Sequence, residues 1–216
     1  MQEILGTADG LAALLTDTVV PDQVPVTQVS VHVLERLSEV RTSQGVVAVA
    51  TSQTGELDAL VGSGLLVVLD AVSDPGNAGT IVRTADAAGA AGVVLTEGSV
   101  DVFGPKAVRS AAGSTYHLPL VTDVSLEVVV ERCRTAGQAI FGLAGSGTLD
   151  IDDLEHHEPP VALVLGNEAH GLAPEHAELL DALVSIPIHG RAESFNVAAA
   201  AAIAIYLTAR SSRLPT

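Results

Sequence analysis

The chain has 216 residues, of which 48% are hydrophobic and only 2% are aromatic. This length and composition exclude an intrinsically disordered protein and indicate one α/β domain, alone or with a small accessory part. The net charge of −16 argues by default against a nucleic-acid partner, because phosphate binding depends on Lys and Arg. Solubility, adaptation to high salt or a skewed genomic composition would also explain the acidity.

The cysteine content and the hydropathy of the chain indicate in which cellular compartment the protein is expected. Cys133 is the only cysteine, so the chain forms no internal disulfide and suits a reducing cytoplasm. No basic segment precedes an apolar one at the start, so we expect no signal peptide. The longest apolar run, 197–207, has 11 residues, whereas a membrane-spanning helix needs about 20. We therefore expect a cytoplasmic protein without a membrane partner.

The first 50 residues show weak hydrophobic periodicity. Their last part, 31–50, predicts a short helix, a polar turn and a strand over 46–50. This region is short for an independent domain with a full core, so we interpret 1–50 as a partial N-terminal domain. Residues 51–64 are interpreted as a linker, and 65–216 as the main domain.

From Leu65 onward, short apolar runs alternate with helical patterns. We predict strands over 65–70, 93–95, 117–121, 138–145, 160–166 and 184–190. Helices are predicted within 80–92, 99–114, 125–137, 173–184 and 196–210. This alternation predicts an α/β fold with a mainly parallel sheet and helices on both faces. Ligands of such sheets bind beyond the carboxyl ends of the strands, where turns contain Gly76, Gly145, Gly166 and Gly190.

Several common sites are excluded by spacing. The stretch 145–150 begins G-x-G but carries Asp150 where a dinucleotide-binding turn needs its third glycine, and no phosphate-binding P-loop pattern occurs. His156 and His157 are adjacent within an acidic stretch, 150–160, which we interpret as a solvated loop. With one cysteine and no paired-histidine helix motif, we expect no metal.

Three polar stretches follow predicted strands, at 74–92, 163–172 and 186–198. Taken singly, each has a plain structural explanation: Asn77 and Asn196 suit helix N-caps, and Glu168 suits a helix end. Taken together, they place glycines and short polar groups beside exposed backbone at one edge of the sheet. An adenosine-type ligand needs such a surface, with close backbone approach and a few placed hydrogen bonds.

The three stretches resemble, in order and spacing, the three motifs of the SpoU-type branch of the SPOUT methyltransferases. Residues 106–120 are similar to the family's segment between its first two motifs, and the resemblance extends from about residue 46 to the C-terminus. It implies transfer of a methyl group from S-adenosylmethionine to a ribose 2′-hydroxyl of ribosomal or transfer RNA. It also implies a C-terminal trefoil knot and a homodimer with the site at the subunit interface.

The resemblance also implies roles for individual residues. Its catalytic set corresponds here to Arg83, Asn77, Glu168, Ser194 and Asn196. Arg83 would act on the 2′-hydroxyl as general base or as its activator, although a free Arg titrates too high for a base at neutral pH. The cofactor would be bound by Gly145, Leu165, Gly166, Asn167, Gly171, Ile186, Pro187, Ser194, Phe195 and Asn196. Phe195 stands where the family most often has Leu.

Two features depart from the family pattern. The N-terminal region is similar only to the end of the family's RNA-recruiting domain, and the chain is strongly acidic. RNA contact would therefore fall on a local basic patch near the motifs, formed by Arg83, Lys106, Arg109 and Arg191. Two alternatives remain: a knotted cofactor-binding protein that has lost RNA methylation, and an unrelated α/β enzyme acting on a small molecule.

Overall fold

The structure is a computed structural model that describes residues 1–38, 43–52, 54–156 and 160–211. The chain divides into two compact units, Met1–Ser52 and Gln53–Thr216. Among the described residues, no helix is long and apolar enough to cross a membrane.

The first unit is a three-stranded sheet with two helices. Its elements are β1 (Glu3–Gly6), α1 (Ala8–Asp17), β2 (Val26–Gln28), α2 (Val31–Leu37) and β3 (Val46–Val49). The strand order is β2-β1-β3, with β1 parallel to β2 and antiparallel to β3. Ile4, Leu11 and Val24 form a small core, so this unit packs on itself despite its weak periodicity. The predicted helix and strand of 31–50 are present, while 39–42 of the predicted turn lie outside the described residues.

The second unit contains a seven-stranded sheet in which every strand pair is parallel. The strands are β4 (Leu65–Leu69), β5 (Gly92–Thr96), β6 (Leu120–Val124), β7 (Ala139–Leu143), β8 (Leu149–Asp150), β9 (Val161–Leu165) and β10 (Ala182–Ser185). Their order is β6-β5-β4-β9-β7-β10-β8. The predicted parallel α/β fold is confirmed. All residues of β4, β5 and β9 are buried, as expected for central strands covered on both faces.

Helices pack on both faces of this sheet. They are α3 (Leu57–Leu60), α4 (Pro75–Ala88), α5 (Pro105–Ala111), α6 (Leu126–Thr135), α7 (Pro174–Ala177) and α8 (Val197–Ser211). One apolar cluster joins the sheet to α4 and α8, and a second joins its other face to α3 and α6. Helices α4 and α5 approach closely at Gly79, where a Cβ atom would overlap the carbonyl oxygen of Ala107.

Four predictions for this unit were wrong in detail. The strand predicted over 184–190 shares only residues 184 and 185 with β10. The helix predicted over 173–184 is only α7, because Ala182–Ser185 joins the sheet as β10 between β7 and β8. The stretch 51–64, interpreted as a linker, contains α3, and Leu60 is buried in the second cluster. The acidic stretch forms a 3₁₀ helix, Ile151–His156, whose apolar residues are buried, while His157 lies outside the described residues.

The strand order positions the site. In the sheet β4 lies beside β9, β9 beside β7, and β7 beside β10. Because all four strands are parallel, the loops that follow them emerge at one edge. The polar stretches beginning at 70, 144, 166 and 186 therefore meet there, although they are far apart in the chain.

Candidate functional site

A cavity of about 300 Å³ lies at the carboxyl ends of β7, β9 and β10. Eight of the ten residues expected to bind a cofactor line it: Gly145, Leu165, Gly166, Asn167, Gly171, Ile186, Ser194 and Phe195. Pro187 and Asn196 are not among the lining residues. Most lining residues are apolar or glycine, and four carry polar side chains, Asn167, Glu168, Glu193 and Ser194, a mixture that is usual in a small-molecule site.

Sequence reasoning missed seven lining residues: Leu143, Ala144, Ala169, Ile188, Glu193, Val197 and Ala200. Each of them lies within a few positions of an expected residue, so neighbourhood in the chain was the available signal. Glu193 is the most consequential, because it brings a second carboxylate to the cavity beside Glu168. Glu193 is exposed, and no described residue donates a hydrogen bond to it.

The turn after β9 is built on two glycines. The backbones of Asn167 and Gly171 exchange hydrogen bonds of 3.0 and 2.8 Å, which closes a tight loop. Gly171 has φ of 68°, a left-handed conformation that favours glycine. A Cβ atom on Gly166 would lie 2.5 Å from the Gly171 oxygen, so this position cannot hold a larger residue without moving the loop. The tight turn exposes backbone to the cavity.

Asn167 ties this loop to the one that follows β4. Its side-chain nitrogen donates to the carbonyl of Ala71 at 2.9 Å. Its side-chain oxygen accepts from the backbone N–H groups of Ala169 and His170 at 2.9 and 3.2 Å. Both polar atoms of the Asn167 amide therefore hydrogen-bond to backbone groups, of Ala71 on one side and of Ala169 and His170 on the other. Asn167 thus holds the shape of this cavity wall.

Glu168 reaches across to the start of α4. Its carboxylate accepts hydrogen bonds from the N–H and hydroxyl of Ser73, both at 3.0 Å, from the N–H of Asp74 at 2.9 Å, and from the Asn77 amide at 3.1 Å. Partial burial by itself would raise the pKa of Glu168. The hydrogen bonds donated by Ser73, Asn77 and Asp74 outweigh that effect and lower the pKa to about 2. Glu168 is therefore ionised at neutral pH and serves as an anchor for two loops.

The third polar stretch joins the same network through Asn196. The Asn196 amide donates to the Asn77 side-chain oxygen at 3.2 Å. Its own side-chain oxygen accepts from Ala198 and Ala199 at the start of α8, so Asn196 is also a helix cap. Asn77 is not a cap, since α4 begins at Pro75 and the Asp74 carboxylate accepts from the Asn77 N–H. The structure thus links Asn77, Glu168 and Asn196 directly.

Of the four expected cations, Lys106 contacts this network through Asp74, and among the described residues the three arginines form no hydrogen bond or ion pair with it. Lys106 forms a 2.8 Å ion pair with Asp74, and this contact, with the Asn77 N–H, lowers the pKa of Asp74. Arg83, Arg109 and Arg191 are exposed, and no described residue forms an ion pair with them. Arg83 follows Asn77 by six residues on α4, a rotation of about 240°, so the two side chains point to different sides of the helix.

The described residues offer neither a metal site nor a reactive cysteine. Among the described residues, no three His, Cys, Asp or Glu side chains are grouped to hold a metal ion. Cys133 is buried in the core, and burial, aided by the charge of Asp181, raises its pKa to about 11. Its thiol is therefore neutral and inaccessible at neutral pH, which makes it a poor nucleophile.

Comparison with known proteins identifies the family. The profile of the SpoU rRNA Methylase family matches residues 64–206, which include the whole cavity. The chain belongs to the SpoU rRNA methylase family. The family resemblance found in the sequence is thereby confirmed.

Several curated relatives of this SpoU methylase are named as 23S ribosomal RNA methyltransferases, and others as tRNA/rRNA methyltransferases. The 23S rRNA (guanosine(2553)-2′-O)-methyltransferase RlmP of Bacillus subtilis is 41% identical over 141 residues, 65% of this chain and 56% of that protein. The 23S rRNA (uridine(2479)-2′-O)-methyltransferase of Streptomyces viridochromogenes is 40% identical over 172 residues, 76% and 60% respectively. The chain thus spans less than two thirds of the length of both relatives.

Solved structures of the family superpose on nearly the whole chain. The SpoU methyltransferase AviRb of Streptomyces viridochromogenes gives a TM-score of 0.81 at 33% identity, covering 98% of this chain and 82% of that one. The AdoMet-bound rRNA methyltransferase of Sinorhizobium meliloti gives 0.84 at 31% identity, covering 99% and 81%. The likeness therefore includes the N-terminal unit as well as the SpoU domain.

Proposed function

We propose that this SpoU methylase transfers a methyl group from S-adenosylmethionine to a ribose 2′-hydroxyl of RNA, with ribosomal RNA favoured over transfer RNA. The observation that carries the proposal is the cavity of about 300 Å³ at the edge where the three family motifs meet. Residues of the second motif stretch, 163–172, and of the third, 186–198, line the cavity. The hydrogen bond from Asn77 to Glu168 connects the first stretch, 74–92, to the second. The 2′-O-methyltransferase names of its relatives support the same reaction.

The lining residues fit the proposed cofactor. Leu143, Ile186 and Ile188 offer apolar surface to an adenine ring, and the backbone around Gly166 offers hydrogen-bonding groups at close approach. The Glu193 carboxylate supplies negative charge for a cationic ligand. When bound, S-adenosylmethionine would supply an activated methyl group on a sulfonium, and such a transfer requires placement in line rather than a metal.

Each expected catalytic residue has a part in the proposed reaction. The ribose oxygen forms a bond to the methyl carbon, the carbon–sulfur bond breaks with its electron pair to sulfur, and the hydroxyl proton passes to an acceptor. Arg83 would hold or activate the 2′-hydroxyl, whereas Asn77, Glu168 and Asn196 hold the loops in place. Ser194 lines the cavity and would position the reacting groups.

A second copy of the chain would complete the site. Arg83 does not line the cavity and points away from Asn77 on α4. One side of α8 carries Ala199, Ala202, Ile203 and Tyr206 at helical spacing, and Tyr206 is 63% exposed. This surface suits close packing against another protomer. We therefore include in the proposal a homodimer in which Arg83 of one chain serves the cavity of the other.

The trefoil knot belongs to the same proposal. Strand β9 lies between β4 and β7, although it follows both in the chain. That strand order is compatible with a C-terminal segment threaded through the sheet's own loops, the arrangement that the family resemblance implies.

RNA contact would involve the basic patch defined by Arg83, Lys106, Arg109 and Arg191. The three arginines are exposed, and Lys106 and its partner Asp74 are each about half exposed. On a body of net charge −16, this local cluster would concentrate attraction for phosphate near the cavity. The N-terminal unit would act as a partial RNA-recruiting domain. With RNA as substrate, the protein would act in the cytoplasm.

The test uses S-adenosylmethionine carrying a labelled methyl group and ribosomal or transfer RNA. We expect label in ribose with the wild type, loss of transfer with Arg83→Ala at unchanged cofactor affinity, and full transfer with Arg132→Ala. Arg132 is the matched control because it is exposed on α6, on the opposite face of the sheet. Cofactor binding without transfer to any RNA would instead favour a binding protein that has lost methylation. No cofactor binding would reject both functions.

A further inference from the structure

Asp70, Thr96 and His176 form a largely buried polar cluster, and the three motif stretches do not include them. Asp70 follows β4 and is 3% exposed. Its carboxylate accepts a 3.0 Å hydrogen bond from the hydroxyl of Thr96, at the end of β5, and lies 2.7 Å from Nδ1 of His176 on α7. A buried polar side chain is costly to the fold unless it is hydrogen-bonded, and Thr96 and His176 supply those hydrogen bonds to Asp70.

This cluster connects to the cavity through one residue of backbone. The Thr96 hydroxyl oxygen accepts from the N–H of Ala71 at 3.1 Å, and the carbonyl of Ala71 accepts from Asn167, which lines the cavity. Ala71 has φ of 54°, a left-handed conformation that is unfavourable for a residue with a Cβ atom. The hydrogen bonds on both sides of Ala71 hold it in that conformation.

His176 fixes the chain just beyond the loop that forms one wall of the cavity. The loop 166–173 supplies five lining residues, and Asn167 anchors its first part to Ala71. The chain then enters α7, where His176 contacts Asp70. The loop is therefore held at two points, and both points converge on the two residues that follow β4.

We propose that His176 is a positioning residue for the cofactor cavity, which acts by clamping the loop 166–173 to Asp70. This inference rests on the proposed binding of S-adenosylmethionine and assigns a role to residues outside its three motifs. His176 does not line the cavity, so its effect on the cofactor passes through the loop.

The clamp is sensitive to pH because it requires a protonated imidazole for full strength. Among the described residues, the charged groups that act on His176 are three carboxylates: Asp70 just after β4, Glu127 on α6 and Glu175 beside it on α7. The hydrogen bond to Asp70 raises the pKa of His176, partial burial opposes that rise, and the three negative charges add to it. The ion pair is thus present below this raised pKa and is lost as the pH rises through it.

The test is the affinity for S-adenosylmethionine, measured calorimetrically at about pH 6 and pH 8.5. We compare the wild type with His176→Gln, which can hydrogen-bond but cannot be charged, and with the matched control His170→Gln. His170 lies in the same loop, is exposed and bonds to Asn167 only through its backbone. We expect the wild type and the control to bind about fivefold more tightly at pH 6, and His176→Gln to bind equally at both pH values.

Kinetics distinguishes positioning from a loss of structure. His176→Gln is expected to raise KM for the cofactor while kcat stays near the wild-type value. Amide hydrogen exchange of the wild-type protein tests the same clamp without a substitution: the loop 166–173 should lose protection relative to β4 above the pKa of His176. A wild-type pH dependence retained by His176→Gln, or loop protection that does not change with pH, would overturn the inference. A wild type that binds no cofactor would instead reject the proposed function.

Discussion

Asn77 and Glu168 lie 91 positions apart in the chain, and the Asn77 amide donates a 3.1 Å hydrogen bond to the Glu168 carboxylate. The same carboxylate oxygen accepts from the N–H of Asp74, and Asn196 in turn donates to Asn77. One carboxylate and two amides therefore connect the loops after β4 and β9 with the start of α8. This network holds three segments of the chain together at one edge of the sheet.

Replacing Glu168 by Gln should weaken that network in a pH-dependent way. Gln retains one acceptor but loses the charge, so we expect the free energy of unfolding to fall by about 1–2 kcal/mol at pH 7, after allowance for solvent screening. The folded pKa of about 2 lies below the ordinary 4.5, so the contribution of Glu168 is complete above the ordinary value and is lost as the pH falls toward 2. Urea unfolding of both proteins at pH 7, 5 and 3 measures it. The difference in free energy of unfolding between the wild type and Glu168→Gln should fall at pH 3 to less than half of its value at pH 7. A difference independent of pH would contradict this role of Glu168.

Gly166→Ala should damage the cavity without touching any polar group. The new Cβ atom would lie 2.5 Å from the Gly171 oxygen and the Leu172 nitrogen, so the loop must move. We expect affinity for S-adenosylmethionine to fall about tenfold or more, the equivalent of a modest overpacking cost. Gly190→Ala is the control, because no atom lies within 4 Å of its new Cβ and its φ is not positive. Equal affinity in the two variants would show that the loop tolerates the change.

Glu193→Gln should reduce the preference of the cavity for a positively charged ligand over a neutral one. Glu193 is exposed, lines the cavity and has no donor among the described residues, whereas Glu168 is already satisfied by four. We expect the affinity for S-adenosylmethionine to fall by about fivefold and that for S-adenosylhomocysteine, whose sulfur is neutral, to fall less. Competitive binding measures the ratio. Glu178→Gln, an exposed carboxylate outside the cavity lining, should leave the ratio unchanged.

Mixing two variants, at a cofactor concentration well below the Kd of the Gly166→Ala variant, tests whether the site is shared between protomers. Arg83→Ala retains an intact cavity, and Gly166→Ala retains an intact Arg83. If each site combines one chain's cavity with its partner's arginine, equal mixing after reversible unfolding should restore about a quarter of wild-type methyl transfer, because half of the dimers are mixed and each has one complete site. Methyl transfer no greater than that of the separate variants would place Arg83 and the cavity in the same chain.

Much of the candidate site could be predicted because its polar residues occur in short stretches directly after predicted strands. Asn77, Glu168 and Asn196 each follow an apolar run within a turn, and the structure joins all three. Arg83 lies in the first of these stretches, but the structure leaves it outside the cavity, because a helix rotates side chains apart with distance along it. The catalytic roles of Asn77, Arg83, Glu168 and Asn196 stay predictions.

The Asp70–His176 contact had no sequence signal. The two residues are 106 positions apart, and neither stands in a motif or at a special spacing. Similar reasons explain the elements that were misassigned. The apolar pattern of 173–184 suits a helix or a strand, and only the open position beside β7 made Ala182–Ser185 a strand.

The sequence by itself determined the alternation of strands and helices, the parallel character of the sheet and the polar turns at the strand ends. These properties depend on periodicity and turn chemistry within a dozen residues, so they can be read locally. Only the tertiary structure decided that β9 lies between β4 and β7, that Glu168 bonds to the start of α4, and that His176 meets Asp70. Those pairings depend on which buried surfaces meet over long separations in the chain, and no local pattern encodes that choice.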